Sequence, residues 1–239
     1  MDTPVPSITE IAADTYRISI PVPPPTIPGG FSFNQYLVVD EKPLLFHTGP
    51  KKMFPIVREQ IEKVLPLERL RYIAFSHFEA DECGALAQFL AAAPQAQPVC
   101  SAVAAHVSVT DAVDVEPIGM DDGQVLDLGR HQLVWQSTPH LPHGWDCGFF
   151  YDRTTGTLFC GDLFTQPGTG GDPLTTGDIL SPSEAFRHHM DYFSHTQDAP
   201  SLIEKLAQLE PRVLACMHGS AWQGDGAGML RQLGQALAQ

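Results

Sequence analysis

The sequence lacks the features that mark several common protein classes. Its 239 residues contain no run approaching the roughly 18–20 apolar residues of a membrane-spanning helix, so we expect no membrane partner. Lysine and arginine number 14 against 28 aspartates and glutamates, and no basic cluster exceeds the pair Lys51-Lys52. The resulting formal charge of −14 disfavours nucleic acid as a partner, because phosphates are held by clustered cations.

Cysteine is also scarce. The five cysteines are an odd number and no two have C-x-x-C spacing, which argues against a disulfide scaffold and a structural zinc finger. The first residues, Met1 to Pro4, lack the basic and apolar regions of a signal peptide, so we expect a cytoplasmic protein. A hydrophobic fraction of 43% suffices for a substantial core, and the length favours one domain over residues 1–239.

Apolar periodicity predicts a sheet core with helices spread along the chain. The predicted strands are Tyr16–Ile20, Tyr36–Val39, Leu44–Phe46, Arg71–Phe75, Pro98–Ser101, Val125–Leu128, Leu133–Gln136, Phe149–Asp152, Thr157–Cys160 and Val213–Ala215. The predicted helices are Met53–Leu65, Glu82–Ala92, Ser183–Phe193, Ser201–Leu209 and Gly228–Ala238. Strands joined by hairpins, together with interspersed helices, indicate an α+β fold in which helices cover a sheet.

The segment 76–84 (S-H-F-E-A-D-E-C-G) carries the densest group of chemically active side chains. It follows an apolar strand, and the end of a strand is where sheets of α/β proteins commonly build their sites. Four potential metal ligands occur within six residues: His77, Glu79, Asp81 and Glu82. The acidic pair also lies at a predicted helix start, where capping and dipole compensation give a purely structural alternative.

Three further polar residues each come after an apolar run and lie next to a glycine. They are His143 in T-P-H-L-P-H-G-W-D, Asp162 in L-F-C-G-D and His218 in V-L-A-C-M-H-G. His140 lies three residues before His143 and is an alternative candidate ligand. Together with segment 76–84, these residues give the order H-x-E-x-D, H, D, H.

This order resembles the metallo-β-lactamase superfold, and within it the diiron domain of flavo-diiron proteins and stand-alone oxygen-binding diiron proteins. Glu79 stands where hydrolase members carry the second histidine of H-x-H-x-D-H, and H-x-E-x-D marks the diiron branch. N-Q-Y-L-V-V-D at 34–40, H-G-W-D at 143–146 and H-G-S-A-W at 218–222 match further. The resemblance implies an αβ/βα four-layer sandwich with metals at one edge, and we expect no flavodoxin-like domain.

The resemblance also implies a ligand set. One metal would be held by His77, Glu79 and His143, the other by Asp81 and His218, with Asp162 bridging the two. The spacing His143-x-x-Asp146 matches the family and favours His143 over His140.

The chain departs from the family pattern at two positions. Glu82 stands where a second-metal histidine is usual, and His47 stands where the superfold commonly has aspartate. We predict catalytic roles for Asp81 and Glu82, and a supporting role for His47 beside the ligands.

Carboxylate and imidazole ligands favour two iron ions, with zinc or manganese as alternatives. The resemblance implies a non-haem diiron protein that binds or reduces O2 or NO, with a separate electron donor and a possible homodimer. The alternative is a zinc hydrolase of ester, thioester or lactone substrates, in which Asp81 orients the attacking water. A binding protein without catalysis is a third interpretation. The loop 164–178 is predicted to form a pocket wall.

Overall fold

Strands in the first half of the chain form one mixed sheet. The computed structural model describes residues 5–27 and 29–238. In spatial order this sheet contains β1 (Ser7–Ala12), β2 (Thr15–Val22), β3 (Phe31–Val38), β4 (Leu44–Phe46), β5 (Tyr72–Ala74), β6 (Gln97–Ser101) and β7 (Ile118–Met120). The strands β1 to β4 pair antiparallel, and β4 to β7 pair parallel.

The parallel half of this sheet requires crossover connections, which contain the helices of the first half. They are α1 (Phe54–Glu62), α2 (Ala80–Cys83), α3 (Leu86–Ala92), α4 (Ala102–Ala104) and α5 (Thr110–Ala112), with a π-helical stretch Ala105–Val109 between the last two. Short 3₁₀ turns occupy Lys51–Met53 and Leu67–Arg69.

The second half of the chain forms another seven-stranded sheet. Its strands are β8 (Val125–Asp127), β9 (Gln132–Ser137), β10 (Gly148–Asp152), β11 (Thr157–Phe159), β12 (Leu174–Thr175), β13 (Val213–Ala215) and β14 (Ala221–Gln223), in the spatial order β12-β14-β13-β11-β10-β9-β8. Its helices are α6 (Leu180–Met190), α7 (Ala199–Ala207) and α8 (Gly226–Leu237). The strands β11 and β13 run parallel, so their carboxyl ends emerge side by side.

Alternation of side chains along the strands builds three apolar layers. In β3, Tyr36 and Val38 face the second sheet, whereas Leu37 packs under the helices of the first half. In β10, Phe150 lies between the sheets and Phe149 lies under the helices of the second half. Both faces of each sheet are therefore covered, and the predicted four-layer αβ/βα sandwich is confirmed.

The predicted helix Glu82–Ala92 is wrong as a continuous element. The structure divides this segment into α2 and α3, because Ala85 donates its N–H to Thr48 Oγ1 at 3.0 Å and to the Gly49 carbonyl at 3.1 Å. The sequence did not predict four strands, β1, β7, β12 and β14. Most residues of β1 are half-buried, and the other three strands have only two or three residues each.

Within the described residues, no helix is long and apolar enough to cross a membrane. A single domain over residues 1–239 stays a prediction.

Candidate metal centre

The loops that follow three strands bring the predicted ligands to one edge of the sandwich. His77, Asp162 and His218 each occupy the third position after the end of their strand, β5, β11 and β13 respectively. Because β11 and β13 are paired and parallel, Asp162 and His218 meet beside each other. Glu79 immediately precedes α2, and His143 lies in the loop between β9 and β10.

One group of donor atoms surrounds His77 and His143. The Nε2 atom of His143 lies 3.3 Å from Glu79 Oε1 and 3.4 Å from Asp162 Oδ2. The Nε2 atom of His77 lies 3.7 Å from the same Asp162 oxygen and 3.9 Å from Glu79 Oε1. These separations suit ligands arranged around one cation, since metal–ligand bonds of about 2.0–2.2 Å put neighbouring donors roughly 3 Å apart.

A second group surrounds His218. Its Nε2 atom lies 3.5 Å from Asp81 Oδ2 and 3.3 Å from Asp162 Oδ1. Donor atoms of Asp81, Glu82 and His218 all lie within 4.8 Å of one another. Asp162 therefore presents one carboxylate oxygen to each group, as the predicted bridge requires.

Buried polar atoms without partners show that the donor set fits a pair of cations. In the described part of the chain, His77 Nε2, Asp162 Oδ1 and both carboxylate oxygens of Glu82 are buried and accept or donate no hydrogen bond. Leaving such atoms unpaired costs free energy, and buried charges in folded proteins are normally paired or coordinate metals. The convergence of these atoms fits the two-metal site that the sequence implies.

The charges within the centre shift the pKa values of its members. Burial alone would lower the pKa of His218, but the Asp162 and Asp81 carboxylates that face its Nε2 atom raise it to about 9. Burial would raise the pKa of Asp162, and the neighbouring histidines, His218 above all, lower it instead. The pKa of Glu82 is raised well above its usual value by burial and by the Asp162 and Asp81 carboxylates. The centre thus contains excess negative charge that bound cations would relieve.

Neighbouring groups fix the orientation of two candidate histidine ligands. His218 donates its Nδ1–H to the Ser32 carbonyl at 2.8 Å, which leaves Nε2 free to face the donor group. The Nδ1 atom of His77 lies 2.9 Å from Ser76 Oγ, and that hydroxyl lies 3.0 Å from His47 Nε2. Partners of this kind hold the ring and tautomer of a metal-binding histidine.

His47 lies behind the centre, as the sequence predicted for a supporting residue. Its Nδ1 atom is 2.9 Å from the sulfur of Met217, the residue before His218. Its burial, in spite of the nearby Asp162, lowers the pKa of the imidazole to about 3. The ring is therefore neutral and contacts residues next to two candidate ligands.

Four aromatic side chains lie beside His218 and His143, and we call them the aromatic rim: Phe31, Phe33, Phe186 and Tyr192. The ring of Phe31 packs on His218 with centroids 4.2 Å apart, and Phe33 meets the same imidazole edge-on at 5.4 Å. Phe186 lies 5.7 Å from Phe31 and 5.9 Å from Tyr192, and Tyr192 lies 6.0 Å from His143. No local sequence pattern reveals this rim, because its members come from β3, α6 and the segment after α6.

Two other predictions concern loops beside the centre. His140 is exposed and its N–H bonds the Gly144 carbonyl, so His143 and not His140 reaches the donor groups. In the loop 164–178, the Gln166 amide bonds both the N–H and the carbonyl of Ser220. The start of this loop therefore packs against the loop of His218.

Comparisons with known proteins agree with this geometry. A family model described as ODP family beta lactamase matches residues 31–219. Anaerobic nitric oxide reductase flavorubredoxin from Salmonella arizonae is 27% identical over 208 residues, which cover 82% of this chain and 42% of that protein. The first curated relatives are longer, since the matched part spans 34% to 50% of their length.

Solved structures share the fold. The metal-soaked Flv1 flavodiiron core from Synechocystis sp. PCC6803 is 25% identical with a TM-score of 0.80, covering 98% of this chain and 62% of that chain. Rubredoxin oxygen:oxidoreductase from Desulfovibrio gigas, at 19% identity, also has a TM-score of 0.80 and covers 97% of this chain and 61% of that chain. The predicted resemblance to the metallo-β-lactamase superfold and flavo-diiron cores is confirmed.

Proposed function

The chain belongs to the ODP family of beta lactamases, and on that premise we propose that it is a non-haem diiron protein that binds or reduces O2 or NO. The observation that carries this proposal is the pair of donor groups that share Asp162, with buried donor atoms that have no other partner. Mixed imidazole and carboxylate donors suit iron or manganese better than zinc. The named activities of the flavorubredoxin and the oxygen:oxidoreductase agree with this chemistry.

We assign the candidate ligands to two metal positions. His77, Glu79 and His143 would hold one iron, Asp81 and His218 would hold the other, and Asp162 would bridge them. An iron pair held by these residues would supply the redox chemistry for binding or reducing a small ligand.

Protein groups around the donors keep the site ordered and shielded. Ser32 holds the imidazole of His218 through its carbonyl, and Ser76 holds that of His77 through its hydroxyl. Tyr192 donates its hydroxyl hydrogen to the Asp162 carbonyl at 3.2 Å and so fixes the backbone of the proposed bridge. The aromatic rim places apolar surface beside His218 and His143, which suits a small apolar ligand such as O2 or NO.

Turnover requires electrons from outside the described residues. We propose a separate electron donor as a partner, and a homodimer as the arrangement that could bring a redox group close to the centre. Without a donor, the same site would act as an oxygen-binding sensor.

A metal-dependent hydrolase is the second candidate function. The Asp81 side chain is 30% exposed, so it is accessible to water and could orient an attacking water molecule in such an enzyme. This reading predicts zinc in the purified protein and turnover of thioesters or lactones.

Elemental analysis combined with absorption spectroscopy tests the proposal. Protein purified without oxygen should contain about two irons per chain and should develop a near-ultraviolet charge-transfer band on exposure to air or to NO. The Asp162→Ala variant should lose metal from both positions, whereas Asp114→Asn, at an exposed carboxylate, should keep it. Zinc with no spectral change would refute the diiron proposal in favour of hydrolysis, and full metal content in Asp162→Ala would refute the bridging role.

A further inference from the structure

Glu82 is the most deeply buried acidic side chain of the centre. Its side chain has 0% exposure, compared with 51% for Glu79 and 30% for Asp81. Neither of its carboxylate oxygens has a hydrogen-bond partner in the described part of the chain. A glutamate in an ordinary capping or packing role would satisfy these oxygens with N–H groups or water, because an unpaired buried carboxylate is costly.

The Glu82 carboxylate faces both donor groups. Its Oε2 atom is 3.9 Å from His77 Nε2, and together with Glu79 these residues offer donors within 4.8 Å of one another. It also belongs to the group of Asp81 and His218, again with all donors within 4.8 Å. Asp162 is the other carboxylate that reaches histidines of both groups.

The backbone holds Glu82 firmly in this orientation. Its carbonyl accepts a hydrogen bond from the Thr48 N–H at 2.7 Å, which fastens α2 to the loop after β4. At the end of α2, a Cβ added at Gly84 would lie 2.2 Å from the Ala80 carbonyl oxygen and 3.1 Å from Lys51 N, so glycine allows this close packing. The inward direction of the Glu82 side chain is therefore fixed by the fold.

We propose that Glu82 is a metal ligand that bridges the two positions together with Asp162, so that two carboxylates span the metal pair. This inference rests on the proposed function, since it assigns one more residue to the same centre. Glu79, Asp81, Glu82 and Asp162 then carry four negative charges, which balance two divalent cations. The second position would have one nitrogen donor, His218, among oxygen donors, and such a set favours Fe²⁺ or Mn²⁺ over Zn²⁺ relative to a histidine-rich site.

Metal titration of the full chain tests this assignment with Mn²⁺ and Zn²⁺ as probes. The metal-free protein and its variants receive each metal in turn, bound metal is counted after gel filtration, and Mn²⁺ pairs are detected by electron paramagnetic resonance. The unchanged protein should bind two Mn²⁺ per chain with the multiline spectrum of an exchange-coupled pair.

Three substitutions separate the bridge from other roles of Glu82. Glu82→Gln keeps the size of the side chain but removes its charge, and should weaken Mn²⁺ binding at both positions by about 10–100-fold and reduce the exchange coupling, which Asp162 alone would then carry. Glu82→His should still bind two metals but should shift preference from Mn²⁺ toward Zn²⁺. Glu79→Gln is the matched control, because it alters a proposed ligand of one position only and should keep a coupled pair once both positions are filled.

The outcomes distinguish this inference from the proposed function itself. If the unchanged protein fails to bind two metals, the dinuclear function is refuted and the bridge with it. If the unchanged protein binds a coupled pair and Glu82→Gln does so with equal affinity and spectrum, only the bridge is refuted. If Glu82→Gln does not fold, Glu82→Asp takes its place, because it keeps the charge but shortens the side chain. Unaltered exchange coupling in Glu82→Asp would overturn the bridge.

Discussion

The buried pair His131–Asp152 is expected to contribute strongly to stability. It lies at the end of the β9–β10 hairpin opposite the loop of His143, with His131 Nδ1 2.8 Å from Asp152 Oδ2 and side-chain exposures of 3% and 0%. Asp152 also accepts hydrogen bonds from Thr155 Oγ1 at 2.7 Å and Thr154 N at 2.9 Å. Asp152→Ala would leave all three donors without their acceptor.

The size of the effect follows from the burial of this pair. Removing one partner of a buried, hydrogen-bonded ion pair costs about 3–5 kcal/mol in the free energy of unfolding. For a chain of this length each kcal/mol lowers the melting temperature by about 2–4 °C, so Asp152→Ala should melt about 6–20 °C lower. Asp152→Asn keeps an acceptor oxygen and should lose only about 1–2 kcal/mol.

The contribution of the pair should also depend on pH. Burial opposes ionisation of Asp152, yet its hydrogen bonds to His131 and Thr155 lower its pKa below the ordinary 3.8. Its stabilising effect is therefore present above 3.8 and lost as pH falls through the lower folded value. The hydrogen bond to Asp152 raises the pKa of His131 above 6.5. That contribution is complete below 6.5 and is lost as pH rises through the raised folded value.

Urea unfolding of the metal-loaded protein, followed by circular dichroism at about pH 5.5 and about pH 8.5, measures the contribution of the pair and its loss as His131 deprotonates. The free energy of unfolding of Asp152→Asn is subtracted from that of the unchanged protein at each pH. The difference isolates the contribution of the pair, because titrations at the metal centre affect both proteins equally. Asp114→Asn serves as the exposed control. A difference that grows from the lower to the higher pH, or an Asp152→Ala variant within about 0.5 kcal/mol of the unchanged protein, would refute the reasoning.

Three further predictions follow from packing and orientation. In Gly148→Ala the new Cβ would lie 2.3 Å from the Trp135 ring, so we expect a loss of about 1–3 kcal/mol in a denaturant titration. Phe186→Ala should open the aromatic rim, and a chelator should remove metal faster than from the unchanged protein; an equal rate would argue against shielding. Ser76→Ala removes the hydroxyl beside His77 Nδ1 and should weaken metal binding about 10–100-fold, with unchanged affinity contradicting its orienting role.

The sequence predicted those parts of the fold in which the apolar pattern and the packing agree. The strands β4 and β10 and the end of β3 are largely buried on both faces, and their short apolar runs are visible without a structure. The edge strand β1 is mostly half-buried and is stabilised by pairing with β2, which no local pattern reveals. The break between α2 and α3 depends on Thr48, 37 residues before the N–H it binds.

The candidate centre also combines residues that local sequence patterns indicate with residues that only the folded structure brings together. The dense group of ligands in segment 76–84 indicated His77, and the succession of polar residues after apolar runs indicated Asp162 and His218; the structure brings the three together. The choice between His140 and His143 depended on the family spacing, and the physical reason is a turn that points His140 outward. The aromatic rim could not be predicted, because its rings meet only after distant parts of the chain have packed.

Hydrogen bonds from strands that are synthesised well before it hold the loop of His218 in place. Arg17 and Asn34 donate hydrogen bonds to the Gly219 carbonyl at 2.6 and 2.8 Å, across separations of 202 and 185 residues. At about 5–20 residues per second, a ribosome needs about 10–40 s to pass from Asn34 to Gly219. In the later part of that interval, segment 76–84 offers an imidazole and three carboxylates to any cation in its surroundings. The identity of the first metal captured would then depend on which cation is abundant during translation, as well as on the affinity of the finished centre.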